Sequence, residues 1–275
     1  MNNFKCVRCD GRIPTTERSL TILIGSKGGF CDLTKGKTRV IIFTFISPSM
    51  VTKRILFSKI CFSFRFFYKN LIKSRFSFFQ KKAKNLLFLS NLVLPLRDFL
   101  KNLCLLKEQF KIPAFKPRLE FKIGIIENDG NLQDIINVGI GIAIKSLETP
   151  LLKFYGQIGI LKWDMIEIKF SNEKEIFVLS NTFSIQEIFE GGSLVLLDPT
   201  YFEELHCNSF LSMLMLKQGV IKNLNHGYEN ELTEENLLYI YKLSLRNFCF
   251  FGKLTKKILN HKLIVPSNLE IITIT

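Results

Sequence analysis

The amino-acid sequence predicts an α+β protein in which mixed sheets pack on helices in two layers. Residues 210–216 and 220–224 are apolar runs separated by a short glycine-bearing turn, a pattern typical of a β-hairpin. Thr233 then precedes acidic residues, and apolar positions recur at helical spacing to about Leu259, which predicts a long helix with a capped start. With 275 residues, 47% of them hydrophobic, the chain is long enough to bury a large core.

Shorter patterns predict the remaining elements. A helix is expected over residues 134–147, where Gly139 and Gly141 cost about 1 kcal/mol each unless close packing requires them. Strands are expected at the β-branched run 40–42, at the alternating run 62–66 and at the apolar run 193–197.

Two motifs that suggest ligand chemistry are better explained without a ligand. Gly36-Lys37-Thr38 lacks the glycine that a phosphate-binding loop needs five positions earlier, where Cys31 stands, so a turn that leads into a strand is expected. Cys6 and Cys9 have zinc-like spacing, but no second Cys or His pair follows at a finger-like distance. The sequence therefore predicts no metal site and no cofactor.

Positive charge is concentrated in the N-terminal part. The formal net charge is +14, yet residues 1–118 hold 24 Lys and Arg against 5 Asp and Glu, and residues 119–275 hold 14 against 19. Residues 53–84 interleave cations with Phe and Tyr. Cations neutralise phosphates and aromatic rings stack on unpaired bases, so this composition suits single-stranded RNA. An alternating run such as 62–66 is also typical of a half-buried strand, so we expect most of these aromatic side chains in the core and some of the cations in contact with RNA. Drift toward AT-rich codons is an alternative explanation for part of the basic excess.

Membrane insertion and secretion are not expected. Uncharged runs such as 40–52 and 205–216 last about a dozen residues, against the roughly 20 apolar residues of a membrane span. The first residues lack the apolar core of a secretory signal, so the seven cysteines are expected as free thiols in a reducing compartment.

The order of motifs along the chain resembles the RNase PH family. Asp10-Gly11-Arg12 is followed by Gly36-Lys37-Thr38-Arg39, then by Asp129-Gly130-Asn131, and later by Asp198-Pro199-Thr200 with Glu203 and Glu204. Asp-Gly-Asn in the middle motif is similar to the subunits that serve as inactive partners in exosome rings. The spacing of the first two motifs is closest to the polymyositis-scleroderma autoantigen subunit class of the eukaryotic exosome core. The resemblance implies an RNase PH-like fold of two halves, residues 1–150 and 151–265, with 51–94 divergent and 266–275 as a short tail.

This resemblance also implies which residues have kept or lost a role. In active members a Gly-Thr-Arg cradle holds the attacking phosphate; here those positions are Asn131, Leu132 and Gln133, which form a degenerate phosphate site. Loss of one oxyanion contact typically costs about 3 to 4 kcal/mol in the transition state. Asp198 and Glu204 fall on two carboxylate positions of the active family and are expected as vestigial acids with structural roles. RNA contacts are expected at Lys53 and Arg54, and at Arg97 and Lys101, a degraded version of an arginine pair that holds substrate phosphates.

The function expected from these observations is that of a non-catalytic structural and RNA-binding subunit of the exosome ring in 3′-to-5′ RNA processing and degradation, including rRNA maturation and mRNA decay. Expected partners are other RNase PH-like subunits in a hexameric ring, cap proteins with S1 and KH domains, RNA and an associated hydrolytic nuclease. The expected location is the nucleus, including the nucleolus, and also the cytoplasm. One alternative is an active phosphorolytic or magnesium-dependent 3′-to-5′ exoribonuclease, because Asp198 and Glu204 are present. A second alternative is a free RNA-binding protein that works without a ring.

Overall fold

The computed structural model describes residues 8–25, 29–50, 61–68, 115–146, 148–153, 162–167, 179–188, 192–215, 221–227, 232–262 and 270–274. Within them runs of consecutive β-strands are separated by single α-helices in a mixed α+β arrangement. None of the helices in these ranges is long and apolar enough to cross a membrane.

The first sheet has six strands in the order β12-β1-β2-β3-β5-β4. All neighbours are antiparallel except β4 and β5, which are parallel. Short antiparallel connections such as the β2–β3 turn at Gly36 fix the register, with Lys35 opposite Thr38. The strands are β1 (Leu20–Ile24), β2 (Phe30–Lys35), β3 (Thr38–Met50), β4 (Cys61–Tyr68), β5 (Phe115–Glu127) and β12 (Glu270–Ile274).

Helix α1 (Leu132–Lys145) is buried between the two larger sheets. It packs on β2 and β3 of the first sheet and on strand β8 (Leu179–Ile188) of the second. A Cβ at Gly139 would lie 2.7 Å from Leu33 Cδ1, and Cys31 Sγ lies 3.2 Å from Gly139 O. Close packing against the sheet is therefore the reason for a glycine inside this helix.

The second sheet has four antiparallel strands in the order β11-β10-β8-β9. Ser180 on β8 accepts a hydrogen bond from Asn137 of α1 at 2.7 Å, whereas its neighbour Asn181 donates to Ser244 O of α3 at 3.3 Å. Successive strand residues point to opposite faces, so helices cover β8 on both sides. The strands are β8 (Leu179–Ile188), β9 (Gly192–Leu197), β10 (Ser209–Met215) and β11 (Ile221–Gly227). The other two described helices are α2 (Tyr201–His206) and α3 (Glu234–Lys262). Strands β6 (Glu148–Lys153) and β7 (Lys162–Glu167) form a separate hairpin.

Most of the predicted elements are confirmed. The hairpin is β10 with β11, and the capped helix is α3, where Thr233 Oγ1 accepts from Asn236 N–H at 3.3 Å. Two segments differ from expectation. Glu203 and Glu204 lie in α2, where no helix was predicted. Residues 270–274, expected within a short tail from 266, form β12 beside β1. The division of the chain at residue 150 stays a prediction.

Candidate functional site

Four connecting segments meet at one end of the two main sheets. They are residues 8–19 before β1, the β2–β3 turn, residues 128–131 between β5 and α1, and residues 198–200 between β9 and α2. Backbone hydrogen bonds join them: Leu197 N–H donates to Pro14 O at 2.9 Å, and Tyr201 N–H donates to Asp129 O at 3.0 Å. This junction contains the acids and the helix start that the sequence analysis identified.

Asp198 lies at the centre of the junction, and its side chain is 0% exposed. Its Oδ2 accepts from the Arg18 backbone N–H at 2.8 Å, from Arg18 Nε at 3.0 Å and from Arg12 Nη1 at 3.2 Å. Its Oδ1 accepts from Arg18 Nη2 at 2.9 Å and from Asn131 Nδ2 at 2.6 Å. Lys35 Nζ lies 3.4 Å from the same oxygen. A carboxylate offers about four lone-pair sites, so these contacts leave none for a substrate or a metal ion.

The charges around Asp198 are balanced inside the protein. Burial alone would raise the pKa of Asp198, but Lys35 and Arg18 hold it well below its usual range. Burial would lower the pKa of Lys35, yet the carboxylates of Asp198 and Glu17 raise it above its usual value. Lys35 Nζ lies 2.8 Å from Glu17 Oε2, and Glu17 Oε1 accepts from Asn247 Nδ2 of α3 at 2.6 Å. Buried charges of this kind persist only when each is paired, which indicates a structural network.

A second buried ion pair fixes helix α2. Arg8 Nε donates to Glu203 Oε1 at 2.7 Å, Arg8 Nη2 also contacts Glu203 Oε2, and Arg8 Nη1 donates to Leu197 O at 2.7 Å. Thr200 and Glu203 form a capping box, in which Thr200 N–H donates to Glu203 Oε2 at 2.7 Å and Glu203 N–H donates to Thr200 Oγ1 at 3.3 Å. Glu203 is therefore held from both sides, and the six-residue helix has a fixed position.

The start of α1 is occupied by the chain's own carboxylate. Asn131 has φ 53°, and its backbone N–H donates to Glu204 Oε1 at 2.6 Å. Free N–H groups at a helix start attract anions, which is why phosphates bind there in many proteins. Here Glu204 takes the place of an external anion. Its burial raises the pKa of Glu204 to about 7, and the nearby carboxylates of Asp134 and Asp198 contribute in the same direction.

The connection before α1 is shaped by Gly130 and Thr38. Gly130 has φ 88°, and a Cβ at this position would collide with the backbone of Thr200 and Tyr201. Thr38 Oγ1 donates to Gly130 O at 2.9 Å and accepts from Asp129 N–H at 3.0 Å. The Gly36-Lys37-Thr38 motif thus forms the expected turn into a strand, and Thr38 also supports this connection.

The three residues predicted as a degenerate phosphate site lie at the start of α1. Asn131 contacts both Asp198 and Glu204, Leu132 is buried in the core, and Gln133 is half-buried. Three of the predicted polar residues, Asn131, Asp198 and Glu204, are therefore brought together. The four predicted RNA contacts, Lys53, Arg54, Arg97 and Lys101, lie outside the described residues.

Sequence reasoning missed the cations that neutralise the acids. Arg8, Arg18 and Lys35 were not assigned as partners of Asp198 and Glu203, although three carboxylates after an apolar strand require cations in a folded core. Arg12 was part of a motif, but its contact with Asp198 has no signal in sequence spacing. Among the residues that the structure describes, no group of three or more His, Cys, Asp or Glu side chains is arranged to hold a metal ion.

No protein-family model and no curated protein matches this chain. Solved structures do match it. A chain of an archaeal exosome core superimposes with a TM-score of 0.65 at 15% identity over 91% of both chains. A chain of an Archaeoglobus fulgidus exosome with RNA bound to the active site gives 0.59 at 15% identity over 92% of both chains. Rice (Oryza sativa) Rrp46 gives 0.56 at 13% identity over 92% of this chain and 100% of the rice chain. The predicted fold is confirmed: the chain has the RNase PH-like fold of exosome-core subunits.

Proposed function

We propose that this chain is a non-catalytic subunit of an exosome-type ring, in which it contributes structure and RNA contacts to 3′-to-5′ RNA processing and degradation. The fold is that of exosome-core subunits, and the site that corresponds to an active centre is filled by the chain's own side chains. The class of subunit that we propose is that of the polymyositis-scleroderma autoantigen, in the nucleus, the nucleolus and the cytoplasm.

The saturated carboxylate of Asp198 carries this proposal. Phosphorolysis needs a bound inorganic phosphate, cations that absorb transition-state charge and an acid near the leaving group. Asp198 is shielded from solvent and fully hydrogen-bonded, so it cannot act as that acid or hold Mg²⁺. The nearest guanidinium groups, those of Arg12 and Arg18, are also engaged with Asp198.

The start of α1 supports the same proposal. The Asn131 N–H that points out of the helix already donates to Glu204. A phosphate would have to displace this carboxylate without help from a hydroxyl at Leu132 or a guanidinium at Gln133. Mg²⁺ is usually held by one or two carboxylates together with substrate phosphates. Of the two acids at this site, Asp198 is not free and Glu204 already accepts from Asn131 N–H.

An exposed apolar face on α2 supports assembly. Phe202 is 59% exposed and Leu205 is 61% exposed, and Tyr201 beside them is also exposed. Among the described cations, Arg8 contacts this helix and Arg12 contacts Asp198 just before it, and both are engaged in internal ion pairs. A rigid apolar face with no free Lys or Arg found beside it in the described part of the chain fits a protein partner better than RNA. We propose other RNase PH-like subunits in a hexameric ring as these partners, with S1 and KH cap proteins and a hydrolytic nuclease joined to the same assembly.

A degradation assay on the purified chain tests the catalytic part of the proposal. RNA with a free 3′ end is incubated with inorganic phosphate, with and without Mg²⁺, and release of nucleoside diphosphates and monophosphates is measured. We expect no release. We expect the same of the double variant Leu132→Thr/Gln133→Arg, which returns a hydroxyl and a guanidinium to the helix start, because Glu204 still occupies the Asn131 N–H. Phosphate-stimulated release of nucleoside diphosphates by the unaltered chain would refute the proposal.

A further inference from the structure

The face of the first sheet that points away from α1 carries aromatic side chains at the surface. Along β3, Val40 and Ile42 are fully buried, whereas the alternate residues Ile41, Phe43 and Phe45 are half-buried or exposed. Residues two apart on a strand lie on the same face. Phe43 is 47% exposed, a high value for a phenylalanine in the middle of a six-stranded sheet.

The two phenylalanines have different neighbours. The ring of Phe43 lies against the ring of Phe30 on β2, with centroids 4.9 Å apart. The ring of Phe45 is covered by a cation, because Lys122 Nζ of β5 lies 4.7 Å from its centroid. Exposed rings with adjacent cations are the side-chain types on which unpaired nucleobases stack.

Strand register extends this arrangement across three strands. Phe43 lies opposite Lys122, and Lys122 lies beside Arg65 of β4. One step along, Ile41 lies opposite Gly124, and Gly124 lies beside Phe67. Among the described residues, a Cβ at Gly124 would meet nothing closer than Ile41 O at 3.8 Å, so no described side chain covers this position. The face thus has a flat glycine position with aromatic and cationic residues at register positions around it.

Local charge on this face is balanced among the described side chains. Arg39 Nη2 donates to Asp32 Oδ2 at 2.7 Å, and Glu120 lies opposite Phe45. Stacking is therefore the local source of affinity. The net charge of +14 supplies the general attraction to a polyanion. A single-stranded nucleic acid combines stackable bases with negative charge and fits both features.

We propose that the outer face of β3, β5 and β4, centred on Phe43 and Gly124, is a platform on which bases of single-stranded RNA stack; this rests on the RNA-binding part of the proposed function. The platform is separate from the junction around Asp198, which lies at the ends of the strands. It gives the chain an RNA contact that does not depend on a phosphate site.

Binding of a fluorescein-labelled oligoadenosine of about 12 nucleotides to the purified full chain tests the platform by fluorescence anisotropy. Phe43→Ser removes the exposed ring, and Gly124→Val fills the flat position with a residue that strands favour. Leu238→Ser is the matched control, because Leu238 on α3 is 54% exposed. Loss of one stacked base weakens binding by about 5- to 100-fold, so we expect losses in this range for the first two variants and none for the control. Gly124→Val keeps the test valid if Phe43→Ser lowers the melting temperature.

Two further measurements test whether lost stacking causes the weaker binding. The loss in Phe43→Ser should be equal at low and high salt, because stacking releases no counterions. An abasic oligonucleotide of the same length should bind the unaltered chain and Phe43→Ser equally. The proposal of a platform is wrong if both variants bind oligoadenosine with the affinity of Leu238→Ser, or if the unaltered chain binds no RNA. RNA binding with phosphate-stimulated degradation would instead refute the non-catalytic function and leave the platform standing.

Discussion

At the scale of single residues, Asp198 links the N-terminal and C-terminal parts of the junction. It joins Arg12, Arg18 and Lys35 from the N-terminal segment to Asn131 at the start of α1. Replacement by Asn would leave the cations buried without their partner, and breaking a buried pair in this way costs about 3 to 5 kcal/mol.

We therefore expect Asp198→Asn to lower the free energy of unfolding by about 3 to 5 kcal/mol, measured by urea denaturation. Asp129→Asn is the control, since Asp129 is 36% exposed and its Oδ2 lies 3.5 Å from Arg18. The control should lose less than about 1 kcal/mol. Equal losses in the two variants would contradict a special role for Asp198.

Glu204 makes stability depend on pH near neutrality. The pKa of Glu204 is raised to about 7 and that of Asp134 to about 6, in both cases first by burial. Because ordinary carboxyl groups of the unfolded chain titrate near pH 4, the folded state binds more protons between about pH 4 and pH 7. The free energy of unfolding therefore falls as pH rises through this window.

Glu204→Gln should reduce this fall, because a Gln oxygen still accepts from Asn131 N–H and has no proton to lose. The free energy of unfolding, obtained from thermal unfolding between pH 5 and pH 8, should fall less with rising pH in the variant than in the unaltered chain. The difference should be about 1 to 3 kcal/mol over the window. An unchanged slope would assign the pH dependence to other groups.

At the scale of elements, local patterns predicted most of the fold. The capped start at Thr233 and the apolar spacing of α3 are local, as is the glycine-bearing turn between β10 and β11. Strand β12 was missed although residues 271–274 are mainly β-branched, because its partner β1 lies some 250 positions away in the sequence. Helix α2 was missed because a six-residue helix has little periodicity and depends on the distant Arg8.

The candidate site, like the fold, was predictable only in part. Asn131, Asp198 and Glu204 follow from motif order, whereas their cations follow only from the way in which chain segments meet. Gly130 illustrates the difference: its φ of 88° is a local requirement, but the backbone of Thr200 and Tyr201 that excludes a side chain is distant in sequence.

Two glycine variants separate the effect of a positive φ from the effect of a collision with distant backbone. Gly130→Ala and Gly11→Ala both place a side chain at positive φ, but only Gly130 has neighbours within reach of a Cβ. We expect Gly11→Ala to lose about 1 kcal/mol from strain alone and Gly130→Ala to lose clearly more. Similar losses in chemical denaturation would indicate that the α1 connection can move away from α2.

At the scale of the whole molecule, the protein combines a closed junction with two open surfaces. The junction at Asp198 is filled by internal ion pairs, which hold the chain segments together. The apolar face of α2 and the outer face of the first sheet stay exposed. An exposed apolar face on a rigid element is stable in solution when a partner covers it.

The α2 face should therefore determine whether partner subunits are recovered together with this chain. Phe202→Ser/Leu205→Ser should leave thermal stability nearly unchanged, because both side chains are more than half exposed. In a tagged pull-down read by mass spectrometry, we expect this variant to lose RNase PH-like partner subunits that the unaltered chain retains. Leu238→Ser on α3 should retain them, since only position on the surface differs. Full retention of these partners by the double variant would show that α2 is not part of the interface. Recovery of no such partners by the unaltered chain would favour a free RNA-binding protein.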